Sequence, residues 1–234
     1  MRPTHATTGG SRMGRDPGIR LLRSRPGRGY GRVVTSFVSR ILDASFGRPQ
    51  GLLGRIGGRI MARSNAAVER RTVEMAAPGP DDVVLVVGPG PGVGLRAAGE
   101  RARLAIGVDP SAVMREAARR RCAELVAAGR VRVDPGTAAD TGQPDASVDV
   151  VIAVNNVQLW PDRTAGFHEL RRVLRPGGRL LVSTHERWLP GGAGQLAADA
   201  AEAGFTEVRT ETWQPPRRRG WASVVLRARR PVTS

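Results

Sequence analysis

A run of five apolar residues, Val83-Val-Leu-Val-Val87, opens directly into Gly88-Pro-Gly-Pro-Gly-Val-Gly94 and then into Leu95-Arg-Ala-Ala98. A short, continuously apolar and β-branched segment reads as a strand buried on both faces, the usual state in a parallel sheet. The residues after it read as a tight turn and the start of a helix. Glycine at such a turn permits positive φ and lets the backbone approach a ligand without a Cβ in the way. Strand-to-helix turns also use glycine where nothing binds, so the loop carries functional weight only in company.

Downstream the chain keeps alternating. Strands are expected at 104–108, 130–133, 148–154 and 179–183. Between them the pattern predicts a helix to about Glu100, and a second over 111–128 with Val113, Met114, Ala117, Ala118 and Leu125 inward. A third covers 164–174 and stops at Pro176-Gly-Gly178, and a fourth runs over 193–203 to Gly204. Two closing strands flank the turn Pro215–Gly220. The expected fold is α/β: a doubly wound, mostly parallel seven-stranded sheet with helices on both faces and an antiparallel C-terminal edge hairpin.

Upstream the character changes. Residues 1–71 carry 15 Arg against three acids (Asp16, Asp43, Glu69), whereas the rest of the 234 residues is only mildly basic. Residues 1–31 lack apolar periodicity and read as a disordered basic arm. Residues 32–77 read as a helical extension or lid, with apolar stripes at Val33, Val34, Phe37, Val38, Ile41, Leu42 and at Leu52, Leu53, Ile56, Ile60, Met61, then a helix over 64–77. Residues 78–231 form the α/β domain. The arm could touch nucleic acid or an anionic membrane. All 37 basic residues are arginine, however, which points to compositional bias and makes a solvated arm the simpler expectation. Cys122 is alone, and His5, His168 and His185 lack metal-ligand spacing, so no metal is expected. No apolar run reaches the ~18 residues of a bilayer span and no signal peptide is recognisable, so a cytoplasmic protein is expected.

Asp109 ends the second expected strand, in Ile106-Gly-Val-Asp109-Pro110-Ser111. A carboxylate there can accept hydrogen bonds from both ribose hydroxyls of a nucleotide lying across the strand ends. Its alternative is an N-cap for the following helix. Glycine turn and carboxylate in register favour a ligand.

These residues, in this order, resemble the class I S-adenosylmethionine-dependent methyltransferases, especially those acting on small molecules. Gly88, Gly90 and Gly92 match the Gly-x-Gly-x-Gly motif, and Asp109 with Pro110 and Ser111 the second motif. Residues 135–149 resemble the family's Gly-Asp-Ala segment and its entry to strand four, and Asn155 stands at that strand's end. Phe167–Gly178 and Ala201–Phe205 are similar to the approaches to strands five and six. The resemblance implies S-adenosylmethionine as cofactor, held by Gly88, Pro89, Gly90, Gly92, Asp109, Pro110, Ser111, Met114, Thr137, Ala138 and Asn155. Two positions depart from the pattern: Val86 replaces the acid that ends the first strand, and Thr137 the Asp beside adenine.

Transfer from a sulfonium needs alignment more than it needs a base, so no catalytic residue is assigned. Gln158 and Trp160 after strand four, and His185 and Glu186 after strand five, are the candidates for contact with a small-molecule acceptor. Trp160 could equally fill a core corner, and His185 could be a surface or loop histidine. An NAD(P) oxidoreductase would explain Gly92-Val-Gly94-Leu-Arg-Ala97 but leaves no room for a substrate domain. An RNA methyltransferase using the basic arm, and a cofactor-binding protein without activity, are the remaining alternatives.

Overall fold

The computed structural model describes residues 65–214 and 222–232. Within them lie seven strands: β1 Val83–Val87, β2 Leu104–Val108, β3 Val131–Asp134, β4 Val148–Val154, β5 Leu174–His185, β6 Thr206–Trp213 and β7 Ser223–Arg229. Helical residues 65–76 form α1. Then come α2 Val93–Gly99, α3 Ala112–Arg121, α4 Ala123–Ala127, α5 Arg163–Val173 and α6 Gly192–Glu202. The basic arm 1–31 and the apolar stripes of 33–43 and 50–63 lie outside the described residues.

All seven strands form one sheet in the order β3-β2-β1-β4-β5-β7-β6. β1 through β5 pair in parallel, and β7 runs antiparallel between β5 and β6. β1 sits near the centre and is buried at all five positions, as its unbroken apolar run requires. The C-terminal hairpin folds back so that β7, not β6, pairs with β5. The edge strand β6 (Thr-Glu-Val-Arg-Thr-Glu-Thr-Trp) is largely exposed and polar, a composition that discourages further strand pairing.

Strand periodicity sorts the core into two layers. Val83, Leu85 and Val87 pack with Phe167, Leu170, Leu196 and Ala200 of α5 and α6. Val84 and Val86 face the other way, onto Val73 and Ala76 of α1, Leu95 and Ala98 of α2, and Ala118 of α3. Chain order reverses between β1 and β4, which opens a crevice beyond their carboxyl ends.

Three expectations need correction. The helix predicted over 111–128 breaks at Cys122, where φ −102° and ψ 16° leave helical geometry, giving α3 and α4. Val113, expected inward, is 70% exposed, because α3 turns Ala118 to the sheet instead. Pro176-Gly-Gly178 does not form a loop ahead of a short strand: α5 ends at Val173 and β5 begins at Leu174. The extra residues are absorbed in a register shift opposite Val148 and Val150.

Candidate active site

The crevice is floored by the turn between β1 and α2. Gly88, Gly90 and Gly92 have φ of +58°, +51° and +87°, a region that favours glycine. At Gly88 there is a second reason: a Cβ would stand 2.7 Å from Asn156 Nδ2. That amide donates to Val87 O at 2.7 Å, so Asn156 pins the exit of β1 while its Oδ1 accepts from Trp160 Nε1 at 3.0 Å. Gly90 differs, since nothing lies within 4 Å of where its Cβ would be. Pro89 is buried and packs toward Gly107 of β2.

Asp109 follows β2 directly and is buried. Its Oδ1 accepts from Ser111 N at 2.8 Å, and the nearby Gly90 amide favours its charged form. Burial pushes its pKa above the ordinary value, against the lowering effect of those two amides and of Arg115. Arg115 donates to the carbonyls of Asp109 and Pro110, and Ser111 caps α3 at Met114 N. Gly88 N donates to Val108 O at 2.8 Å, and the Gly90 amide acts on Asp109, so the glycine turn and the end of β2 lie side by side.

The turn is also held from a direction that sequence reasoning missed. Gly94, in the first turn of α2, donates its amide to Glu69 Oε2 of α1 at 2.6 Å. The N-cap Gly92 has no side chain to cap α2, so a carboxylate 25 residues upstream satisfies that orphan donor. Burial raises the Glu69 pKa to about 7, although the Gly94 amide, Arg121 and Arg70 all act to lower it.

At the end of β4, Asn155 adopts φ +55°. Its amide Nδ2 reaches Asn65 Oδ1 of α1 at 3.5 Å, and its own Oδ1 is buried with no partner among the described residues. Gln158 bridges Asn155 O and Thr184 Oγ1 at 2.9 and 2.8 Å. The Trp160 ring lies edge-on to Phe167 at 5.6 Å, and a Cβ on Gly166 would meet it at 2.7 Å, so it fills a core corner. His185 is not in a loop: it is the last residue of β5 and is buried. Its Nε2 and Nδ1 lie 3.4 Å from Asn65 Oδ1 and from Ser223 Oγ, and Trp188 packs edge-on at 4.9 Å. Desolvation lowers its pKa, with the Ala222 carbonyl opposing and Arg187 assisting, so the ring is neutral at neutral pH. Glu186 is exposed on the short 3-10 turn Glu186–Trp188.

The segment after β3 lies beside the Asp109 end of the crevice. Thr137 is exposed; its hydroxyl accepts from Asp140 N at 3.1 Å and its amide donates to Asp140 O at 2.8 Å, while Ala138 is buried. Asp134 is paired with Arg132 at 2.6 Å.

A glycine turn, a carboxylate at the next strand's end and the strand-order reversal between them and β4 mark the candidate cofactor site of this doubly wound sheet. Residues 85–182 match the family model described as a methyltransferase domain. An uncharacterized methyltransferase of Bacillus subtilis, YdaC, is 30% identical over 162 residues, spanning 65% of this chain and 87% of that protein. Nocamycin O-methyltransferase of Saccharothrix syringae is 36% identical over 116 residues, 48% of this chain and 41% of that protein. The fold is that of a geranyl diphosphate C-methyltransferase from Streptomyces coelicolor solved with S-adenosyl-L-homocysteine (TM-score 0.59, 17% identity, 70% of this chain and 79% of that one). The chain belongs to the class I S-adenosylmethionine-dependent methyltransferases. No helix among the described residues is long and apolar enough to cross a membrane.

Proposed function

We propose that this enzyme moves the methyl group of S-adenosylmethionine, by in-line displacement, onto an O, N or C nucleophile of a small-molecule acceptor. One observation carries this reading: Asp109, Gly90 and Asn155 follow β2, β1 and β4, three neighbouring parallel strands, so all three stand at the carboxyl edge of the sheet. Gly90 offers open space where a side chain would stand, and Asn155 Oδ1 is a buried acceptor without a partner among the described residues. An orphaned buried acceptor costs about 1–3 kcal/mol, which a bound donor would recover. The residues present fit the cofactor.

On this reading Gly88, Gly90 and Gly92 bring backbone against the ligand, with Pro89 stiffening the turn from below. Asp109 takes the ribose hydroxyls, and Pro110, Ser111 and Met114 wall the adenosine. Thr137 and Ala138 border the adenine edge, where the Thr137 hydroxyl stands in for a carboxylate. S-adenosylmethionine supplies an electrophilic methyl on a sulfonium; the protein supplies alignment and exclusion of water. The acceptor lies beyond the ends of β4 and β5. There Gln158 and Trp160 hold the exit of β4, and His185 and Glu186 flank the exit of β5.

Calorimetry with S-adenosylhomocysteine and with NAD tests this. The first is expected to bind and the second not to. Asp109→Ala should weaken S-adenosylhomocysteine by roughly tenfold or more, the loss of charge-assisted hydrogen bonds to the ribose. Unchanged affinity in that variant would remove Asp109 from the site, and binding of NAD alone would replace the reading with an oxidoreductase.

A further inference from the structure

Among the described residues, two carboxylates stand against amides of the glycine turn and the helix it opens. Asp109 lies near the Gly90 amide, which favours its charged form, and Glu69 accepts the Gly94 amide at 2.6 Å. They arrive from different elements. Asp109 stands at the end of β2, whereas Glu69 comes from α1, on the sheet face to which Val86 also points.

Asn65 stands one turn before Glu69, so the two project from the same side of α1. Asn65 reaches Asn155 at the end of β4 and His185 at the end of β5, while Glu69 reaches the start of α2. One polar side of the helix therefore touches the carboxyl ends of β4 and β5 and the start of α2.

What this strip leaves unsatisfied are acceptors. Asn155 Oδ1 is buried and unpartnered, and Glu69 makes no ion pair among the described residues. Arg70 and Arg121 act on Glu69 only as nearby charges. Also against this side of the turn are Cys122, whose Sγ donates to Gly92 O at 3.8 Å, and Arg121, whose Nε donates to Pro91 O at 2.8 Å. A half-buried carboxylate and an orphaned amide oxygen together suit a group with several donors, a positive charge and no acceptor. An alkylammonium is such a group.

We propose that Glu69, with Asn155, receives the α-ammonium group at the methionine end of the cofactor, so that α1 is part of the cofactor site. This rests on the reading above that the crevice takes S-adenosylmethionine. The family match begins at residue 85, after α1, so the contribution of Glu69 is not contained in it. The carboxylate that the first strand lacks at Val86 is thereby supplied from the helix packed over it.

Burial raises the Glu69 pKa to about 7. An arriving cation favours the charged carboxylate, so cofactor binding is coupled to proton release near neutral pH.

The test compares two ligands on the full chain by calorimetry. S-adenosylhomocysteine carries the amino-acid end; 5′-methylthioadenosine has the same nucleoside and thioether without it. Glu69→Gln is expected to lose roughly tenfold in affinity for S-adenosylhomocysteine and to keep its affinity for methylthioadenosine. Asp109→Ala should weaken both. In the unmodified protein, the ratio of the two affinities should rise through about pH 7. Titrations in buffers of different ionisation heat should show protons released with S-adenosylhomocysteine only. A flat ratio, or equal losses for both ligands in Glu69→Gln, overturns the role of Glu69. If that variant does not fold, the pH dependence of the unmodified protein decides alone. Failure of the unmodified protein to bind either ligand overturns the cofactor reading instead.

Discussion

Glu69 and His185 are both burdened by burial, and the signs of their pH effects are opposite. Glu69 has a folded pKa raised to about 7 from 4.5, so the folded state holds its proton more tightly than the unfolded chain. Its contribution is fully present below about pH 4.5 and is lost as pH rises toward 7. His185 has a lowered pKa, so the unfolded chain binds that proton more tightly. Its contribution is present above the ordinary imidazole value of 6.5 and is lost as pH falls below it. Asp109 is raised like Glu69 and blurs the total, so differences between variant and parent are the clean quantity. Urea midpoints across pH should show Glu69→Gln gaining on the parent as pH rises, and His185→Gln gaining on it as pH falls. Offsets independent of pH would mean that neither burial is energetically felt.

At the scale of elements, the two ends of the sheet have separate jobs. Asp149 works at the amino end, where the β4–β5 register shifts. Its Oδ2 accepts Val83 N at 2.8 Å, at the start of β1, and its carboxylate accepts Arg175 Nη1 at 2.6 and 2.5 Å. It therefore joins β1, β4 and β5 at the end remote from Gly88. Asp149→Ala should lower stability by about 1.5–3 kcal/mol, since an amide and a guanidinium lose their acceptor. Affinity for S-adenosylhomocysteine should be unchanged, because no contact of Asp149 reaches the crevice. Denaturation and calorimetry on the same variant check both halves; a matching loss of affinity would show that the two ends are coupled. The carboxyl end trades regularity for access: four residues there, Gly88, Gly90, Gly92 and Asn155, hold positive φ.

On the whole molecule, charge and fold are unevenly distributed. Residues 1–71 hold most of the positive excess, while the α/β body is only mildly basic. Deleting residues 1–31 is expected to leave S-adenosylhomocysteine affinity intact, because that stretch has no apolar periodicity with which to pack against the α/β body. A large loss in calorimetry would bring the arm into the site. The order of strands and helices was legible in the sequence, since a parallel sheet writes its buried strands as continuous apolar runs and its turns as glycine and proline. The same local pattern marked Gly88–Gly94 and Asp109, whose roles depend on immediate neighbours. Cys122 as a helix break was not legible, because the residues on either side are good helix formers and the break lies where Cys122 is buried against Gly92 O, 30 residues away in the chain. Glu69, Asn156 and Asn65 were invisible for a different reason. Each acts on a partner far away in the chain: Glu69 on Gly94, Asn156 on Val87, Asn65 on Asn155 and His185. Periodicity reports which face of an element is buried, not which distant amide or carboxylate it meets there. The sequence by itself determined the fold class and the glycine turn, both products of short-range rules. Only the tertiary structure decided how that turn is held, and by which carboxylates, because that depends on α1 folding back across the sheet.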